Sequence, residues 1–395
     1  MSDEKQQRRF ETHAVHGRHA DRPYPYRSVT PPIVASSTFG FESLEALHTE
    51  QEKPWDGIVY SRWHNPTVRD AEHRMALLEG CEQASLFSAG IAAIASSVFS
   101  CVQTGERLLS FKDIYGGAVN LFTNILPRHG IAVDWVTTCD YAALEAAIRP
   151  ETKAIYFESP TNPVLKIVDL ERMGEIGRRH GIPLIFDNTL PTPYLQRPLD
   201  WGVSVVAYSA TKYLCGHSDM IMGAATGSAA AMLPVLNMRT AYGSIVDPHG
   251  AFLFTRSLAT LGPRMERHCD NAEQVAEFLR GHAEVARVYF PGYADGDDKR
   301  LVERQMRRYG GMISFDVKRG GDKADRVVNR LEMIALGASL GGIESLVAEP
   351  RFATHRKMDR GAREALGIGE GMIRLSVGIE HHADIIADLR QALEG

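Results

Sequence analysis

The sequence predicts an α/β protein: a mostly parallel sheet with helices on both faces, followed by a smaller α+β domain. Short apolar segments alternate with helical stretches from residue 65 to about 255, and the pattern changes beyond that. The chain has 395 residues, 44% of them apolar and 24% charged, ordinary for a globular protein and enough for a large core plus an accessory.

Residues 1–63 read as an arm. They are rich in His, Arg and Pro, and Pro23, Pro25, Pro31 and Pro32 favour extended backbone. Such a segment packs on another part of the fold or on a second subunit. His13, His16 and His19 are spaced by three. A metal site needs a fourth ligand and fixed geometry, so solvent or subunit contacts are expected instead.

Residues 64–255 carry the strand–helix alternation. Asn65-Pro66-Thr67 starts a helix, with Val68, Ala71, Met75 and Leu78 on one face and Gly80 at its end. A buried strand at 84–87, a turn at Gly90 and a helix over 91–102 follow. Further strands are expected at 107–111, 132–137, 153–158, 183–187 and 203–208, with helices over 141–148 and 169–180. Residues 256–395 hold a long amphipathic helix over 263–281, strands near 311–317 and 372–377, and a helix near 382–393.

The net charge of −5 excludes both a basic nucleic-acid footprint and an acidic disordered chain. The five cysteines are widely spaced with no CxxC, which speaks against a disulfide framework or a cysteine-type zinc site. Reduced thiols and a start without an apolar core predict a cytoplasmic protein. Residues 83–105 and 220–238 carry no charge, but their Gly, Ser and Pro content predicts strand–turn–helix rather than membrane spans.

Chemistry concentrates at the ends of the expected strands, where ligands bind in parallel α/β sheets. Tyr208-Ser209-Ala210-Thr211-Lys212-Tyr213 places two hydroxyls and a lysine after a buried strand. A lysine of lowered pKa there can form a Schiff base, and the hydroxyls can hold a phosphate. Asp187 ends the preceding strand, 25 residues earlier. A carboxylate beside such a lysine suits pyridoxal phosphate (PLP), whose pyridine nitrogen must stay protonated. Ser88-Ala89-Gly90-Ile91 opens a helix whose free N–H groups suit a phosphate. Asn162, in Glu158-Ser159-Pro160-Thr161-Asn162-Pro163, can donate to the cofactor's phenolic oxygen, and Tyr115 can stack on a flat ring.

These motifs resemble the Cys/Met-metabolism enzymes of fold type I, which depend on PLP. Tyr60-Ser61-Arg62, Gly216-His217-Ser218-Asp219, Ser339-Leu340-Gly341-Gly342 and Arg374-Leu375-Ser376-Val377-Gly378 strengthen the resemblance. It implies a fold type I PLP-dependent transferase-like architecture and assigns roles. Lys212 is the Schiff-base lysine and moves protons at Cα. Asp187 pairs with the pyridinium, and Tyr115 stacks on the ring and acts as general acid. Ser88, Gly90, Ile91, Ser209 and Thr211 hold the phosphate. Tyr60 and Arg62 reach that phosphate from a neighbouring subunit, which makes the dimer the active unit; a homotetramer built from two such dimers is expected. Arg374 grips the substrate carboxylate, helped by Ser339 and Asn162.

The resemblance is nearest to methionine γ-lyases, through Arg264 to Ala272 and Leu121-Phe122 with Leu126-Pro127-Arg128. It implies γ-elimination from an amino acid with a leaving group at Cγ, of the methionine or homocysteine type, giving a 2-oxo acid and ammonia. The alternative is a γ-replacement enzyme, such as an acylhomoserine sulfhydrylase or a cystathionine γ-synthase. Asn120 stands where cystathionine enzymes carry an arginine, and Ala338 where they carry a glutamate, which argues against a charged substrate tail. Gly117 replaces the usual cysteine of methionine γ-lyases. Glu349 replaces the histidine of the segment Glu349-Pro350-Arg351-Phe352-Ala353-Thr354-His355. An acid at that point would admit a basic substrate such as canavanine.

Overall fold

The computed structural model describes residues 8–17, 24–353, 355–356 and 358–395, and of Tyr26 the backbone only. His19, Pro23 and Thr354 lie outside the described residues. Seven strands form the large sheet: β1 Gln83–Phe87, β2 Arg107–Phe111, β3 Ala132–Val136, β4 Thr152–Glu158, β5 Leu184–Asp187, β6 Val205–Ser209 and β7 Gly223–Gly227. Their order is β1-β7-β6-β5-β4-β2-β3. Only β7 runs against its neighbours. The chain enters β2, steps outward to β3 and returns to β4 on the other side of β2. That reversal makes a crevice beyond the carboxyl ends of the strands.

Sequence spacing explains the elements around this crevice. Helix α3, Pro66–Glu79, follows α1 (Phe10–His16) and α2 (Leu44–Gln51). Asn65 caps α3 by accepting from the Thr67 N–H at 2.9 Å, and Gly80 ends it in the left-handed region at φ 76°. The two uncharged stretches are strand–turn–helix units: β1 with α4 (Gly90–Cys101), and β7 with the helix Ala229–Tyr242. Among the described residues no helix is long and apolar enough to cross a membrane. All five cysteines are free.

The second sheet holds β8 Val285–Tyr289, β9 Met312–Val317, β10 Ala335–Leu336, β11 Leu346–Ala348 and β12 Met372–Ser376, in the order β10-β11-β12-β9-β8. The helix Leu261–Gly281 belongs to both cores. Its Leu261, Met265 and Cys269 pack in the large core, and its Ala272, Val275, Ala276 and Leu279 in the small one. One rigid element therefore sets how the second sheet meets the first.

The arm is more helical than its sequence suggests. Helix α1 lies on its own chain: Arg74 donates to the Val15 carbonyl at 2.7 Å, and Phe10 meets Tyr194 edge-on at 5.1 Å. Residues near α2 are open instead, with Val29 and Leu44 almost fully exposed. His13 and His16 sit on α1. Among the described residues no cluster of His, Cys, Asp and Glu is arranged for a metal ion.

Candidate active site

Five strand ends and the second sheet converge on one pocket of about 620 Å³ of empty space, part of it open to solvent. Gly90, Tyr115, Asn162, Asp187, Ser209, Lys212 and Arg374 all line it. Ser339 joins them through hydrogen bonds. Lys212 Nζ donates to Ser339 Oγ at 2.8 Å, and Arg374 donates to the Ser339 carbonyl at 2.9 Å and to Asn162 Oδ1 at 3.3 Å.

Electrostatics at the pocket floor are unusual. Lys212 is lowered from 10.5 to about 8, by burial first and by the Arg374 charge second. Arg374 lies on β12, is only 3% exposed, and is lowered by burial to about 10. Asp187 and Glu158 are register neighbours at the ends of β5 and β4. Burial raises both carboxyls, and the Asp187 charge raises Glu158 further. Asp187 accepts from the Thr189 N–H at 2.9 Å and from the Tyr156 hydroxyl at 3.3 Å. Glu158 accepts from the backbone N–H groups of Tyr115 at 2.9 Å and Asn162 at 3.2 Å. Glu158 thus fixes the two loops that bear Tyr115 and Asn162, a role the sequence reading does not assign to it. Its place at a strand end was the available signal.

The turn before α4 forms a cradle. Its cap residue, Ala89, offers no side-chain acceptor. The N–H groups of Gly90 and Ile91 therefore keep their donating capacity. A Cβ on Gly90 would lie 2.7 Å from Ser209 Cα, so only glycine lets the turn sit this close to β6. Ser209 is the hydroxyl beside this cradle.

Other expected residues are not brought in. The Thr211 hydroxyl is held by the Met222 backbone, donating to its carbonyl at 3.2 Å and accepting from its N–H at 3.0 Å. Ser88 is exposed and its N–H donates to the Ser244 carbonyl at 3.2 Å. Tyr60 and Arg62 are not among the residues lining this chain's pocket. Tyr60 is 40% exposed, and Arg62 donates to the Thr240 carbonyl at 3.0 Å. Glu349 is not among the residues lining the pocket, and its carboxylate pairs with Arg351 at 2.8 Å. Gly117 leaves room for the Tyr115 ring, since a Cβ there would meet Tyr115 Cε1 at 2.4 Å.

The family model described as "Cys/Met metabolism PLP-dependent enzyme" matches residues 11–394. The chain belongs to this family. The L-methionine gamma-lyase of Porphyromonas gingivalis is 39% identical over 388 residues, covering 98% of this chain and 97% of that protein. The cystathionine beta-lyase of Lactococcus lactis subsp. cremoris is 38% identical over 368 residues, covering 93% of this chain and 94% of that protein. The crystal structure of cystathionine gamma-lyase from Lactobacillus plantarum complexed with L-serine superposes with a TM-score of 0.90 at 36% identity, covering 98% of this chain and 99% of that one. The chain therefore has the fold type I architecture.

The residues fit the family's cofactor. A buried Asp187 beside a second buried carboxyl is costly unless a cation faces it, and a pyridinium nitrogen is such a cation. The Gly90–Ile91 cradle with Ser209 suits a phosphate. Lys212, partly neutral near pH 8, suits attack on an aldehyde.

Proposed function

We propose that this protein is a PLP-dependent γ-lyase. It removes a leaving group from Cγ of an amino acid of the methionine or homocysteine type and releases a 2-oxo acid and ammonia. One observation carries the reading: Ser339 joins the lowered amine of Lys212 to the carboxylate-binding guanidinium of Arg374. A substrate gripped at Arg374 therefore presents its Cα to Lys212. The lyase names of relatives at 38–39% identity support elimination over replacement.

Bound PLP supplies an electron sink for the charge left at Cα. Asp187 would face its nitrogen and Tyr115 its ring. Ser209 and the N–H groups of Gly90 and Ile91 would hold its phosphate. Thr211 would join them by giving up its bond to Met222. Tyr60 and Arg62 would serve the phosphate of a neighbouring subunit, in a tetramer of active dimers.

Arg374 binds the substrate carboxylate in two-point fashion, with Asn162 and Ser339 holding its guanidinium in plane. Lys212 takes the proton from Cα, hands it on, and as a neutral amine again takes a proton from Cβ. Tyr115 then gives its hydroxyl proton to the departing Cγ group. Burial, Asp187 and Glu158 raise the Tyr115 hydroxyl, so it keeps that proton until the leaving group needs it.

Replacing Lys212 tests the scheme. The Lys212→Ala protein is expected to lose both covalent cofactor attachment, read by visible absorbance, and oxo-acid release. Retained release would refute the scheme.

A further inference from the structure

We propose that the helix Leu261–Gly281 holds the spacing between Lys212 and Arg374, with Arg264, His268 and Asn271 as positioning residues. This rests on the roles proposed above for Lys212 and Arg374, and adds three side chains that do not line the pocket.

Lys212 and Arg374 come from different sheets. Lys212 follows β6 of the large sheet, and Arg374 lies on β12 of the small one. A substrate held at Arg374 reacts only if its Cα stays within reach of the Lys212 amine. The Lys212–Ser339 bond opens whenever that amine takes another partner, so the spacing needs a holder outside the pocket.

Arg264, His268 and Asn271 share one helix face, at i, i+4 and i+7. Arg264 grips the lysine side. It donates to the Tyr213 carbonyl at 2.7 Å and to the Leu214 carbonyl at 3.4 Å, directly after Lys212. A Cβ on Gly216 would lie 2.0 Å from Arg264 Nη1, so only glycine lets this loop close on the guanidinium. Asn271 grips the arginine side. Its Nδ2 donates to the Gly378 carbonyl at 2.9 Å and to the Glu380 carbonyl at 2.7 Å, just past β12. His268 touches both. Its Nδ1 donates to the Val377 carbonyl at 2.7 Å, and its ring meets Tyr213 edge-on at 5.1 Å.

Packing alone does not call for this chemistry. Arg264 is 5% exposed, and His268 and Asn271 are fully buried. A buried guanidinium is costly, and an apolar side chain would fill the same space at less cost. What the polar trio adds is direction. Each donor fixes a carbonyl, and so a stretch of chain, against one rigid rod.

The test uses norleucine, which has the amine and carboxylate of methionine but no leaving group. Exchange of its Cα proton with D2O is followed by NMR on the holoenzyme at saturation, and thermal midpoints are read on the same samples. Arg264→Lys and Asn271→Ser loosen opposite sides, and each should slow exchange by on the order of 10-fold. The double variant should be no slower than the slower single variant, because a spacing released on one side is already lost. Gln274→Ala, exposed on the same helix, should exchange like wild type. Where Asn271→Ser does not fold, Arg267→Met replaces it, since half-buried Arg267 donates to the same Glu380 carbonyl at 3.3 Å. Lower thermal midpoints with unchanged exchange, or losses that multiply in the double variant, would overturn the proposal. Norleucine undergoes no elimination, so failure of the lyase reading shows separately in the products.

Discussion

The two ends of the pocket are built from different material. At the cofactor end, side chains rise from strand ends of the large sheet and from β12 of the second sheet. Asp187 and Glu158 sit in register, and Lys212, Ser339 and Arg374 form a continuous hydrogen-bonded chain. At the far end, the walls are a π-helical turn and the loop that carries Phe352, which is 62% exposed. Buried, rigid groups can hold shifted charge states, whereas exposed groups on loops act through weak, screened attraction. Chemistry is therefore located in the sheet, and choice of substrate in the loops.

Substitutions should divide the same way. The largest effect is expected at Asp187. Asp187→Asn keeps the shape and removes the charge, so turnover should fall by on the order of 10²–10³-fold, with weaker retention of cofactor on dialysis. Unchanged turnover would mean that the buried carboxyl pair is only structural.

The next effect is a pH profile. Lys212 attacks an aldehyde only as the neutral amine. With its pKa lowered to about 8, the rate at which apoprotein takes up PLP should rise with pH and level off above about 8. In Arg374→Met the second cause of the lowering is gone, so the midpoint should move upward. A rate still climbing toward 10.5, the ordinary lysine value, would show that burial does not tune this amine. The far end should give the smallest change: Arg356 lines the outer cavity that meets the pocket at Tyr115 and Ala338, and Arg356→Met should alter turnover only a few-fold. A loss there as large as at Asp187 would erase the contrast between the two ends.

The same contrast decides what was legible in the sequence. Strand ends announce themselves, because an apolar run followed by Asp187-Asn188-Thr189 or Ser209-Ala210-Thr211-Lys212 fixes both position and orientation. β7 was legible only as part of the uncharged strand–turn–helix stretch 220–238, without bounds of its own. Its Gly-Ala-Ala-Thr-Gly run has few β-branched residues, since a Cβ on Gly223 would meet the Ala89 carbonyl oxygen at 2.2 Å. Glu349 and Arg356 lie in one loop, yet one turns inward to Arg351 and the other lines the cavity. Local sequence does not carry that difference, because long-range packing on Asp325 and Gly321 holds Arg351 in place.

The most direct measurement is the product formed by the holoenzyme from homocysteine thioethers and acylated homoserines, with and without an added thiol. The account predicts 2-oxobutyrate and ammonia in equal amounts without the thiol. A thioether product that appears only with thiol, with little oxo acid in its absence, would contradict it and make the protein a γ-replacement enzyme.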